Sequence, residues 1–192
     1  HEGCKIIPEK LGSSPEYIDN FARAIMTTDT HPKWCSASIE NSTLLGVAKG
    51  AGMIEPNMAT MLSFFVTDAK LSSDQLQTIL RSVVNQSFNR ISIDSDTSTS
   101  DTVIILANGL AGPIDAEKFE KTLRNSSIQL AKEIARDGEG STKLIELTVS
   151  GAESQQMALQ IGKSIINSPL VKTAIHGADP NWGRFVMAVG KV

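Results

Sequence analysis

The stretch Lys49-Gly50-Ala51-Gly52-Met53-Ile54-Glu55-Pro56-Asn57-Met58-Ala59 is a turn-rich approach, and at Thr60 the polarity flips into the apolar run Met61-Leu62-Ser63-Phe64-Phe65-Val66-Thr67. Glycines, a proline and an asparagine followed by an apolar run of strand length read as a loop delivered onto a buried strand. Thr60 is the threshold between loop and core. A hydroxyl on the first residue of a buried strand is held rigidly while the preceding loop can open to substrate, which suits a nucleophile. The competing reading is that a threonine at a strand edge is simply a good strand former.

A chain of 192 residues buries a sizeable core and fits one domain or two tightly joined lobes. Its 41% hydrophobic and 20% charged residues are ordinary for a globular protein. No run of eighteen apolar residues occurs, so no membrane span is expected. A formal net charge of -3 without a basic cluster argues against nucleic acid or an anionic membrane surface as partner. What remains is a small molecule or another subunit. Cys4 and Cys35 form no Cys-x-x-Cys pair and suit a reducing compartment. The three histidines, His1, His31 and His176, share no ligand spacing, so no metal is expected, and a Gly-x-Ser-x-Gly elbow is absent. The chain begins at His1 and stops just after the apolar run Phe185–Val189, which reads as a fragment of a longer protein.

In chain order, Ser14-Pro15-Glu16 starts a helix with Ser14 as N-cap and Pro15 at the first helical position. Ile18, Phe21, Ala22, Ile25 and Met26 give it a buried face. Thr27-Thr28-Asp29-Thr30-His31-Pro32-Lys33 follows, read either as a helix C-terminus and turn stopped by Pro32 or as a hydrogen-bonding wall for a polar substrate. Cys35, Ala37 and Ile39 alternate with polar residues, Asn41-Ser42 turns, and Leu44–Val47 returns as a hairpin. Beyond the Thr60 strand, Ser72 and Gln75 have capping-box spacing ahead of a helix with the apolar stripe Leu76, Ile79, Leu80, Val83, Val84 and Phe88.

The acidic run Asp94 to Asp101 invites a calcium-loop reading, but Thr99 and Ile105 stand where glycine and glutamate belong. A hydroxyl-rich turn bonding side chains to backbone is expected instead, leading into Val103–Ala107, too short to assign. Phe119, Leu123, Leu130, Ala131, Ile134 and Ala135 mark a long amphipathic helix ending near Arg136. Gly138-Glu139-Gly140-Ser141-Thr142-Lys143 resembles a phosphate loop, but a helix precedes it and the alternation of Leu144–Val149 after it predicts a strand, the reverse of the order a phosphate loop needs. The glycines are expected to allow close backbone approach and to leave Glu139 projecting. A third helix spans about 153–166. The loop His176 to Arg184 is either a ligand grip or a corner held by an Asp179–Arg184 pair. Strands alternating with covering helices, and no nucleotide fingerprint, give an α/β or α+β layered domain.

Five stretches together resemble the ornithine acetyltransferase family of arginine biosynthesis. They are Thr27-Thr28-Asp29-Thr30; Lys49–Ile54 with Pro56–Leu62; Asp94–Asp101; Asp137-Gly138-Glu139-Gly140; and Ser168–Ala174 with Asp179-Pro180-Asn181-Trp182-Gly183-Arg184. The resemblance covers the chain from about Ser14 onward. It implies an α/β fold, a layered α/β/β/α sandwich resembling the N-terminal nucleophile hydrolases. It also implies self-cleavage between Ala59 and Thr60, with residues 1–59 and 60–192 as parts of two segments of one intertwined unit.

By the same resemblance Thr60 is the catalytic nucleophile, its freed α-amine the base. It takes acetyl from N-acetylornithine and passes it to glutamate, with acetyl-CoA a donor for some members and no cofactor. Thr27, Lys49, Thr60 and Glu139 match the family's substrate-contacting positions, Lys49 suited to a carboxylate and Glu139 to an amino group. Partners would be these small molecules within a heterotetramer of two α and two β segments, in a bacterial cytoplasm or a mitochondrial matrix. The family's Thr-Gly oxyanion pair is absent from His1 to Gly12, and its C-terminal Asn and hydroxyl contacts lie beyond Val192, so the fragment alone is expected to be poor or inactive. A self-processing amidase or aminopeptidase of similar fold, or a non-catalytic fragment, are the competing readings.

Overall fold

The computed structural model describes residues 2–7, 11–55, 61–96 and 99–192. Its elements are α1 (Glu2–Ile6), α2 (Pro15–Ala24), β1 (Lys33–Ile39), β2 (Ser42–Lys49), β3 (Leu62–Lys70), α3 (Ser73–Gln86), β4 (Thr102–Pro113), α4 (Ala116–Arg136), α5 (Gln155–Ile166), α6 (Pro169–His176) and α7 (Trp182–Val189), with a short 3₁₀ turn at Phe88–Arg90. The fold is mixed α/β, as expected from the sequence. No helix among the described residues is long and apolar enough to cross a membrane.

Four strands form one sheet in the order β1-β2-β3-β4. The first three run antiparallel and β3 pairs in parallel with β4, the connection between them carrying α3. Because side chains alternate across a strand, the register sorts them into two faces. Cys35, Gly46, Phe65 and Ile105 form one row, and Trp34, Val47, Phe64 and Ile104 the row behind it. The first face carries the main core. Phe119, Leu123, Leu130 and Ile134, at helical spacing on α4, are fully buried with Phe65, Leu44 and Ile39 of the sheet and Ile79, Leu80 and Val83 of α3. Each such side chain contributes about 1.5–3 kcal/mol by leaving water. Gly46 is small for a reason: a Cβ there would lie 2.6 Å from the Phe65 ring and 3.1 Å from Cys35 Sγ.

The capping box predicted for α3 is present, Ser72 accepting from the Gln75 N–H and Gln75 from the Ser72 N–H. α2 packs on the opposite face, where Phe21 meets Phe64 edge-on at 5.6 Å and the Trp34 indole donates to Asp19. α5, α6 and α7 build a smaller cluster around Ile165, Val171 and Ala188. Lys163 and Lys172 attach it to the main body by donating to the carbonyls of Ile91 and Ile93.

Several expectations change. Val103–Ala107 belongs to the twelve-residue β4, whose length is set by β3 beside it. Leu144–Val149, expected as a strand, carries neither strand nor helix. Alternation makes a strand only where a neighbour offers a ladder, and among the described residues none does. Asp179 and Arg184 do not pair: Asp179 accepts from Asn181, while Arg184 donates to the Leu170 carbonyl and the Thr173 hydroxyl of α6. Ser14 takes the N-cap position of α2, but its side chain makes no capping bond, and Ile25 and Met26 fall beyond the helix end.

Candidate active site

Lys49 ends β2 and stands in register with Leu62, the first residue of β3. The connection between them therefore leaves and returns at one end of the sheet. Ala59 and Thr60 lie outside the described residues, but both flanks of that connection are placed, and acidic side chains hold both. On the approach, Asp29 Oδ1 accepts from the Gly50 N–H at 2.6 Å, and Asp94 accepts from the N–H groups of Met53 and Ile54 at 2.6 and 2.9 Å. On the return, Asp101 Oδ1 accepts from the Met61 N–H at 2.6 Å, and the Met61 carbonyl accepts from Thr102 N–H. The run Asp94 to Asp101 thus bonds side chains to backbone, as expected. Asp94 and Asp101 reach backbone about forty residues away, while within the turn Ser95 Oγ donates to the Asp94 carbonyl and Asp94 accepts from the Asp96 N–H.

Asp29 belongs to a buried ionic cluster. Lys33, 2% exposed, donates from Nζ to Asp29 at 2.7 Å and to Asp137 at 2.5 Å. Asp137 also accepts from the Thr30 backbone and hydroxyl. Burial alone would raise both carboxyls. The Lys33 hydrogen bond outweighs it together with Gly50 and Thr27 N–H at Asp29, and with the two Thr30 donors at Asp137, leaving both below the usual carboxylate value. One cation therefore ties the 27–30 turn, the start of the 50–61 connection and the end of α4 into a rigid unit.

That unit positions the residues the sequence singled out. Lys49, 7% exposed, points its ammonium at the Thr27 hydroxyl, 3.3 Å away. Glu139, two residues beyond Asp137, donates its N–H to the Ala51 carbonyl at 2.8 Å. Its carboxylate lies across Gly52, where a Cβ would come within 2.6 Å of it. Close backbone approach with Glu139 projecting is what the glycine pattern predicted. Thr27 and Lys49 thus touch each other, and Glu139 flanks the same connection two residues on. Glu139 also lines a cleft of about 540 Å³ between α4, the segment after it, α5 and α6, which Lys49 and Thr27 do not line. Among the described residues no group of three or more His, Cys, Asp or Glu side chains could hold a metal ion.

Two residues escaped the sequence reading. Lys33 reads as a turn residue at a strand start, and nothing local reveals its partner at Asp137. Asp101 was visible only as the last acid of a series. It is 8% exposed, its Oδ2 has no hydrogen-bond partner among the described residues, and burial pushes the carboxyl up to about 6 against the lowering effects of the Met61 N–H and the Lys49 charge.

Thr27, Lys49 and Glu139 thus lie at the end of a mixed α/β sheet, beside the connection between β2 and β3. The comparisons supply the family. The profile of the ArgJ family matches residues 2–192, and the chain belongs to that family. It is similar to the glutamate N-acetyltransferase Oat2 of Streptomyces clavuligerus, 56% identical over 174 residues, covering 91% of this chain and 44% of that protein. It is likewise 60% identical over 173 residues to the arginine biosynthesis bifunctional protein ArgJ 2 of Clostridium acetobutylicum, covering 90% and 45%. The crystal structure of the arginine biosynthesis bifunctional protein ArgJ from Bacillus halodurans matches with a TM-score of 0.66 and 49% identity, over 68% of this chain and 65% of that one. The chain spans less than half the length of the sequence relatives named here.

Proposed function

We propose that the protein transfers an acetyl group from N-acetylornithine to glutamate in arginine biosynthesis, through an acetyl ester on Thr60 formed after self-cleavage between Ala59 and Thr60. The observation that supports this reading is that Lys49 reaches the Thr27 hydroxyl at the end of β2, and Glu139 lies against Ala51 and Gly52 at the start of the connection that leads to Thr60. Lys49 binds a substrate carboxylate and Glu139 an amino group, each by a charge-assisted hydrogen bond. The Thr60 hydroxyl, with its own α-amine as base, attacks the acetyl carbonyl, releases ornithine and then yields the acetyl group to the glutamate amine. Acetyl-CoA is an alternative donor, and no cofactor is required.

The two segments, 1–59 and 60–192, stay together after cleavage because β2 of the first pairs with β3 of the second along six residue pairs, Leu44↔Thr67 to Lys49↔Leu62, and two copies of each complete a heterotetramer. The names of the relatives, a glutamate N-acetyltransferase and an arginine biosynthesis bifunctional protein, support the substrate class.

The test is ornithine release from N-acetylornithine plus glutamate by the full-length protein. Release that disappears in Thr60→Ala is expected, and release unaffected by that substitution overturns the reading. Acetate formed equally fast with and without glutamate would assign an amidase instead.

A further inference from the structure

We propose that the cleft between α4, the segment after it, α5 and α6 binds an organic phosphate, with the phosphate group at Lys163, Lys172 and Arg90 and an apolar body against the aliphatic walls. The proposal is independent of the reading of Thr60, and neither Lys49 nor Thr27 lines the cleft.

Charge is the first observation. The chain carries 21 acidic side chains to 18 Lys and Arg. The cleft reverses that balance, since Arg90, Lys132, Lys143, Lys163 and Lys172 line it against Glu139 and Glu146. Lys132 is neutralised by Glu146 at 3.0 Å, and Lys163 has Glu55 only at 3.7 Å. Among the described residues the other three donate to main-chain carbonyls: Arg90 Nε to Asn85, Lys143 Nζ to Ile175 and His176, and Lys172 Nζ to Ile93 at 2.6 Å. A carbonyl satisfies a hydrogen bond but leaves the charge uncancelled. The helix ends at Asn85 and His176 offset about half a charge each; Lys172 has no such offset.

Geometry brings the cations together. Lys163 donates to the Ile91 carbonyl at 2.8 Å and Lys172 to that of Ile93. Those carbonyl carbons are two residues apart in the chain, so at most about 7 Å separates them. Burial holds the Lys163 ammonium below its usual value; Glu55 opposes that, and the like charge of Arg90 adds to it. Three half-buried cations held close together are costly unless an anion stands among them.

The walls and the charge define the ligand. Ile91, Leu144, Ile145, Leu159 and Ile166 offer apolar surface, and a volume of about 540 Å³ is that of a small-molecule site. A phosphate monoester places about 1.5–2 negative charges on one compact group at neutral pH, where a carboxylate places one. Lysines take phosphate as point charges.

The experiment titrates the full-length protein calorimetrically with naphthyl phosphate, with naphthol as the same body without charge, and with inorganic phosphate as the charge without the body. Naphthyl phosphate should bind about 10-fold or more tightly than either. Lys172→Gln keeps a donor for the Ile93 carbonyl and removes the charge, and should weaken naphthyl phosphate about 10-fold. Naphthol or inorganic phosphate binding as tightly as naphthyl phosphate, or a folded Lys172→Gln binding like the parent, overturns the proposal. If Lys172→Gln does not fold, salt decides on the parent. Raising it from about 0.05 M to about 0.5 M should weaken naphthyl phosphate several-fold, and an unchanged affinity overturns the phosphate site. Absence of binding at about 1 mM naphthyl phosphate would mean that another part of the full-length protein fills the cleft, and the proposal falls.

Discussion

Asp29 and Asp101 hold the two ends of one connection and are each 8% exposed, yet the molecule treats them oppositely. Each accepts a backbone N–H at 2.6 Å, from Gly50 and Met61 respectively. Asp29 shares a buried lysine with Asp137 and both of its oxygens accept hydrogen bonds, so its carboxyl lies below the ordinary value. Asp101 has one oxygen with no partner among the described residues and lies well above it. Burial is the same for both; pairing decides. The paired carboxylate holds the approach to the connection, and the other holds the return strand through the Met61 N–H.

The largest effect should come from breaking the paired side. Lys33→Met removes one cation and leaves two buried carboxylates facing each other, which costs about 3–5 kcal/mol, a fall in melting temperature of roughly 10 °C for a domain of this size. A melt indistinguishable from the parent's would mean that the cluster is solvated in solution and does not lock the site.

The next effect is smaller and has a sign. Asp29 and Asp137 have depressed carboxyls, so their contribution is fully present above the ordinary value of 3.8 and is lost as pH falls through the lower folded values. Asp101 runs the other way. Between 3.8 and about 6 the unfolded chain ionises while the folded carboxyl stays protonated, so stability falls as pH rises across that window. Melting of the parent and Asp101→Asn from pH 4 to 8 reads this directly. The variant should gain on the parent from pH 4 to 6 and hold a constant lead above it. A difference independent of pH would show that Asp101 titrates normally.

How much of this was legible in the sequence depends on the range of the interaction. The α3 capping box is written within four residues, and the β1–β2 hairpin within a short alternation, so both were readable. The extent of β4 is set by β3, and the fate of Leu144–Val149 by a missing ladder partner, so neither follows from local pattern. The site divides the same way. Glycines at 138 and 140 announced a close backbone approach, and the Glu139 N–H on the Ala51 carbonyl fulfils it. Lys33 with Asp137, 104 residues apart, and Asp101 with Met61, forty apart, carry no local signal, since a buried charge is recognised by what faces it.

Asp94 supplies the mildest contrast with Asp29. It accepts two backbone N–H groups of the approach, from Met53 and Ile54, where Asp29 accepts one, from Gly50, but it is exposed, so water stands ready to replace it. Asp94→Ala should therefore cost only about 1 kcal/mol, visible as a small drop in urea midpoint with an unchanged slope. Asp29 and Asp94 receive similar numbers of backbone hydrogen bonds, so the wide gap expected between Lys33→Met and Asp94→Ala comes from desolvated charge and not from hydrogen-bond number. Should Asp94→Ala prove as damaging as Lys33→Met, the approach would be held by its backbone bonds alone, and the buried lysine would lose its place in the account.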